Sequence, residues 1–163
     1  MGNLWRWFGV LFLILGLNSC DILWRQPQIP TGGLNSNTAD ENPSYSGDGR
    51  YLTFASDRNG RRDIYLYDLQ DRRLINLPNL NRRDSSQDQP SLSTDGQYLV
   101  YVSTERGKTD IMLYDRRISR SRLLTADMRG TVRNPTINGD GTAIAFQTTQ
   151  RGQWNIAVIE INN

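Results

Sequence analysis

Histidine is absent from the 163 residues, and cysteine and lysine occur once each, as Cys20 and Lys108. Without histidine the chain lacks the side chain that most often acts as general base at neutral pH and as zinc ligand, and every Ser-His or Cys-His nucleophile pairing is excluded. A lone cysteine cannot close an intramolecular disulfide. Lys108 stands in a polar loop with no Ser-x-x-Lys helix beside it, which removes a serine–lysine dyad. An excess of charge of one sign is missing too: 19 basic residues stand against 17 acidic ones, and this near balance gives no electrostatic case for nucleic acid. There is no glycine-rich loop with phosphate-binding spacing and no alternating acidic pattern of a calcium loop. The expectation is a chain with no catalytic residues, no cofactor and no metal site. What remains, 37% hydrophobic and 22% charged residues, is the composition of a folded globular domain.

The first twenty residues read as an address. Arg6 is followed by an unbroken apolar stretch from Trp7 to Leu17, then Asn18-Ser19 and Cys20. Eleven apolar residues are too few for a helix crossing a bilayer core, which takes about 20. The arrangement is that of an export signal. Leu17-Asn18-Ser19-Cys20 resembles the bacterial lipobox, with Asn18 where a small or aliphatic residue is usual. That resemblance implies cleavage before Cys20, lipid on Cys20 and a chain tethered to the outer side of a bacterial membrane, in the periplasm or beyond. The expected divisions are a signal peptide at 1–19, a lipidated linker at 20–41 and a folded domain at 42–163.

That domain repeats itself. Residues 42–68, NPSYSGDGRYLTFASDRNGRRDIYLYD, align without a gap on 89–115 and again on 134–160, at spacings of 47 and 45 residues. Each copy has a proline (Pro43, Pro90, Pro135), an Asp-Gly pair (Asp48-Gly49, Asp95-Gly96, Asp140-Gly141), a second glycine and an isoleucine (Ile64, Ile111, Ile156) at matching places. Asp-Gly favours a tight hairpin turn, because glycine accepts positive φ and aspartate tolerates it. Second strands are expected at 51–55, 98–102 and 143–147, apolar in both phases and so buried on both faces. Third strands are expected at 64–67, 111–114 and 156–159, and more polar fourth strands at 73–77 and 121–125. Four strands in about 45 residues is the signature of a propeller blade. The repeats divide at about 42–88, 89–133 and 134–163.

The phrase Pro43-Ser44-Tyr45-Ser46-Gly47-Asp48-Gly49, then Phe54, Ser56 and Asp63-Ile64-Tyr65, resembles the TolB-type, WD40-like repeat of β-propellers. The resemblance covers nearly all of 42–160 and implies an all-β propeller, cell-envelope organisation and six blades in a complete ring. Three blades cannot close, since propellers have about four to eight. The third copy stops before a fourth strand, while Gln28-Ile29-Pro30-Thr31 precedes the first copy and could serve as an outer strand. The fold expected is an open arc of three blades or half of a six-bladed ring, the ring being completed by a second copy.

The repeated aspartates Asp48, Asp95 and Asp140 and the glycines beside them are read as structural turns. The arginine doublets, each with an acidic neighbour, are read as solvated turns and strand ends. A binding surface is expected at the mouth of the channel, on the loops entering each first strand: Asp40 and Glu41; Arg82, Arg83, Asp84 and Asp88; Arg129 and Arg133. The function expected is a non-enzymatic scaffold, lipid-anchored outside the cytoplasm, that holds a protein or cell-wall partner. Two alternatives stay open: an accessory propeller subunit of a peptidase or other hydrolase, and a lipoprotein that binds a small ligand or sugar.

Overall fold

The computed structural model describes residues 33–161, so the signal at 1–19, Cys20 and the outer strand expected at 28–31 lie outside the described residues. Those described contain eleven strands in three antiparallel sheets. Blade 1 is β1 (Asp40–Tyr45), β2 (Tyr51–Ser56), β3 (Asp63–Asp68) and β4 (Arg73–Ile75), hydrogen-bonded in chain order. Blade 2 repeats this with β5 (Gln87–Leu92), β6 (Tyr98–Ser103), β7 (Asp110–Asp115) and β8 (Arg120–Leu123). Blade 3 has β9 (Val132–Ile137), β10 (Ala143–Thr148) and β11 (Asn155–Glu160), with no fourth strand among the described residues. First strands of neighbouring blades lie side by side, β1 against β5 and β5 against β9, which makes them the inner strands of the arc.

The Asp-Gly turns form as their sequence dictates. The Asp48 carboxylate accepts from the Ser46 hydroxyl at 2.6 Å and the Arg50 amide at 3.0 Å, and Asp95 and Asp140 make the same kind of cap. Glycine is required at Gly96 for two reasons: its φ is +66°, and an added Cβ would come within 2.7 Å of the Tyr51 ring in blade 1. Gly141 stands against Tyr98 of blade 2 in the same way.

Each inner strand carries a bulge that the sequence did not announce. Asn42 and Pro43 together oppose Phe54, between the pairs Glu41↔Ala55 and Ser44↔Thr53. Gln89-Pro90 opposite Tyr101 and Asn134-Pro135 opposite Phe146 are its counterparts. Asn42, Gln89 and Asn134 have φ of 52°, 52° and 49°. A bulge leaves residues outside the ladder, so a proline with no N–H to give is accommodated there. Pairing therefore continues past the proline, and Asp40, Glu41, Asp88 and Arg133 belong to strands rather than to the entering loops where they were expected. The fourth strands are shorter than expected, because the chain after Ile75 and Leu123 turns inward to supply core.

Two seams join the blades. Ile64 and Leu66 of β3 are buried against Leu92, Leu99, Tyr101 and Tyr114 of blade 2, with Leu77 and Leu80 of the β4–β5 connector inserted between. Ile111 and Leu113 of β7 pack in the same way on Ile137, Ile144 and Phe146 of blade 3, with the connector's Leu124 and Met128. Each connector also satisfies the third strand's backbone. The Asn81 side chain accepts from the Ile64 amide at 2.9 Å and donates to its carbonyl at 2.8 Å. In the second seam the Thr125 hydroxyl accepts from the Ile111 amide at 3.0 Å, and the Leu124 amide donates to the Ile111 carbonyl at 2.9 Å. The expectation that second strands are buried on both faces holds for β2 and β6. It fails for β10, where Ala143, Ala145 and Gln147 are half-exposed, because among the described residues no further blade lies on that side.

Candidate functional site

Glu41, Asp88 and Arg133 occupy one register position on the three inner strands, opposite Ala55, Val102 and Gln147. The bulge that follows turns the next residue into the left-handed region, and this links the strands by side chains. The Asn42 amide group donates to the Asp88 carboxylate at 2.8 Å. The same carboxylate oxygen accepts from the Gln89 amide at 2.8 Å, and the Gln89 side-chain oxygen accepts from the Asn134 backbone amide at 2.6 Å. A polar rim thus runs from blade 1 to blade 3 along the inner edge of the arc. Non-glycine residues in this conformation cost on the order of 1 kcal/mol each and are held only where surrounding structure requires them.

Arg62, from the β2–β3 loop, is the cation at the blade 1 end of this rim. It donates to Glu41 at 2.8 Å and to Asp57 at 2.8 Å, and stands 3.9 Å from Asp88. Its hydrogen bond and charge hold the Glu41 carboxyl below the usual carboxylate range, and Glu41 and Asp57 in turn push the Arg62 guanidinium upward despite partial burial. At the blade 3 end the Arg133 guanidinium lies 3.8 Å from the Trp154 ring centroid and donates to Gln147 at 2.8 Å. The rim therefore changes from acidic at Glu41 and Asp88 to cationic and aromatic at Arg133 and Trp154.

The other candidate residues are placed elsewhere. Asp40 is turned away from the rim: it pairs with Arg58 at 2.9 Å and accepts from the Ser36 amide at 2.7 Å, while Arg58 also donates to the Gly33 and Leu34 carbonyls. Burial pushes the Asp40 carboxyl up, but the bonds from Ser56, Arg58 and Ser36 outweigh it and bring the acid down to about 2. Asp40 is thus a latch holding residues 33–36 to blade 1. Arg82 pairs with Asp84 at 3.2 Å and with Glu105 at 3.1 Å on the exposed β4–β5 connector. Arg83 and Arg129 are exposed. Asn42, Gln89, Asn134 and Arg62 join the rim in addition to the expected residues; the polar residue before each repeated proline is the sequence signal for the first three.

The carboxylates of the rim are tied to a guanidinium or to amides, which fixes them as hydrogen-bond acceptors. Among the described residues no group of three or more acidic residues is placed to hold a metal ion.

Residues 31–163 match the model of the TolB beta propeller domain family, PD40, from just ahead of the latch to the end of the chain. The chain belongs to this family. Among solved structures, this TolB-type propeller is similar to TolB from Acinetobacter baumannii, at 27% identity and a TM-score of 0.59, over 75% of this chain and 30% of that one. A putative TolB from Agrobacterium tumefaciens is 18% identical with a TM-score of 0.63, over 78% of this chain and 47% of its own. A puromycin-hydrolyzing peptidase from Mycobacterium tuberculosis shares the fold at 14% identity and a TM-score of 0.55, over 76% of this chain and 19% of its own. The chain spans less than half the length of each of these proteins. No curated protein matches the sequence.

Proposed function

We propose that this TolB-type propeller is an exported scaffold, tethered to a bacterial membrane by lipid on Cys20, that binds a protein or cell-envelope partner and performs no catalysis. The observation that carries the reading is the polar rim. Three repeats each hold a strained polar residue at the same inner position, and these residues are linked in a line of fixed donors and acceptors. Backbone strain retained in every copy is a feature of ligand-facing sites. Loops and strand ends at the mouth of a propeller channel are where a partner segment meets several blades at once. The export signal ahead of Cys20 supports delivery to the outer side of the membrane, with 20–41 as the tether and 42–163 as the folded module.

The test is capture of partners from membranes by the full chain, followed by mass spectrometry, with the wild type compared with E41Q/D88N/R133Q, which changes the charges of the rim and keeps the size of its side chains. Recovery of one envelope protein by the wild type, reduced about tenfold in the variant at unchanged melting temperature, is the expected result. Unchanged recovery removes the site. Recovery of a hydrolase would favour the accessory-subunit reading, and recovery of no protein would favour a small ligand or sugar. Two copies closing a six-bladed ring would give such a scaffold a complete channel mouth.

A further inference from the structure

The two ends of the arc are unfinished in matching ways. Ile156 and Val158 of β11 are 69% and 64% exposed, whereas the residues that align with them, Ile64 and Leu66 in blade 1 and Ile111 and Leu113 in blade 2, are at most 4% exposed. At the opposite end Tyr45 of β1 is 63% exposed, while its counterparts Leu92 and Ile137 are 5% and 8% exposed. Both departures fall where a neighbouring blade would stand. Within the chain, the face that Ile64 and Leu66 belong to is always covered by the opposite face of the next blade together with a connector leucine. Blade 1 carries the counterparts of that covering surface: Leu52, Phe54 and Tyr67 are already buried in a cluster with Leu34, while Tyr45 and part of Tyr65 are left exposed beside them.

The backbone repeats the pattern. The Asp48 amide donates to the Thr94 carbonyl at 3.0 Å, and the Thr94 amide donates to the Gly139 carbonyl at 2.8 Å, so the Asp-Gly turns are joined blade to blade in one direction. Continuing the row, the amides at Gly139 and Asp140 are the next donors and the Gly47 carbonyl at the other end is the next acceptor. Donor end and acceptor end belong to the same molecule and point in opposite senses around the arc.

We infer that the exposed face of blade 3 is a docking surface for blade 1 of a second copy of this chain. Two copies related by a two-fold axis along the channel then make the contact twice, and the ring closes at six blades. The inference rests on the propeller reading above for that number, and it gives the polar rim its missing half.

Sedimentation equilibrium of the full chain, extracted in a density-matched detergent, reads the outcome directly. Two chains per particle are expected at micromolar concentration. V158E and, separately, Y45E should each weaken association about tenfold or more, because either sets a charge in the new seam. Both positions are exposed in the single chain, so the melting temperature of the monomeric variants should match that of dissociated wild type, and I156Q is a milder substitution should V158E disturb folding. A wild type that stays monomeric overturns the inference. So does a dimer that V158E breaks and Y45E leaves intact, since that is blade 3 meeting blade 3. Partner capture with the same samples separates the two proposals: a dimer without a partner fails the scaffold reading alone, and a monomer that still captures its partner fails this one alone.

Discussion

Replacing Thr125 by valine keeps the shape of the side chain and removes one hydroxyl from the seam between blades 2 and 3. Thr125 is 1% exposed, and its oxygen both accepts from the Ile111 amide at 3.0 Å and donates to Asp110 at 2.9 Å. Asp110 is itself 2% exposed; the oxygen that Thr125 bonds also pairs with Lys108 at 3.2 Å, and the second carboxylate oxygen has no hydrogen bond among the described residues, with Arg106 3.6 Å from it. A buried amide left without an acceptor costs about 1–3 kcal/mol, and the loss of a donor to a buried carboxylate costs a similar amount. The two losses share one atom and do not add fully, so we expect about 3 kcal/mol in all. For a domain of this size that lowers the melting temperature by roughly 8 °C. Urea unfolding followed by far-ultraviolet circular dichroism, at one fixed protein concentration, measures it. N81L, which leaves the amide and carbonyl of buried Ile64 without their side-chain partners, should cost about 2 kcal/mol. If T125V lies within about 0.5 kcal/mol of wild type, connector side chains do not hold the blades together as described.

The remaining predictions concern the latch, a hairpin and the tether. Asp40 has its acid drawn down to about 2 from an ordinary 3.8, so its contribution is present above about pH 4 and disappears as pH falls toward 2; D40N should cost about 2 kcal/mol at pH 7, and the gap from wild type should close in acid melts over that window. Arg72 sits at φ 52° on the exposed β3–β4 hairpin, and R72G should raise stability by about 0.5 kcal/mol in the same urea assay, since glycine adopts that conformation without a Cβ clash. C20S should abolish incorporation of labelled fatty acid and release the protein from washed membranes; retention on the membrane would remove the lipid tether from the proposal.

The repeat made the strands, the Asp-Gly turns and the blade count legible, because hairpin chemistry and apolar runs are local signals. The inner strands were harder to delimit. Pro43, Pro90 and Pro135 look like strand starts, and only pairing across the sheet reveals that the ladder passes them on a bulge. In sequence Glu41, Asp88 and Arg133 look like charged loop residues, and only the pairing of the inner strands gives them a common register. In sequence Arg62 looks, with its neighbour, like part of a solvated doublet. Its role depends on Glu41, 21 residues away, and on Asp88 in the next blade, neither of which local sequence brings near.

The bulge and the seam have different owners. Each bulge is set by three residues inside its own repeat, whereas each seam depends on a leucine and a polar neighbour in the connector between repeats. Local blade shape and blade number can therefore change separately: duplicating a whole repeat with its connector lengthens the arc without disturbing the geometry of any existing rim position. A lineage built this way could vary how many blades one gene encodes while the surface offered to a partner stays the same.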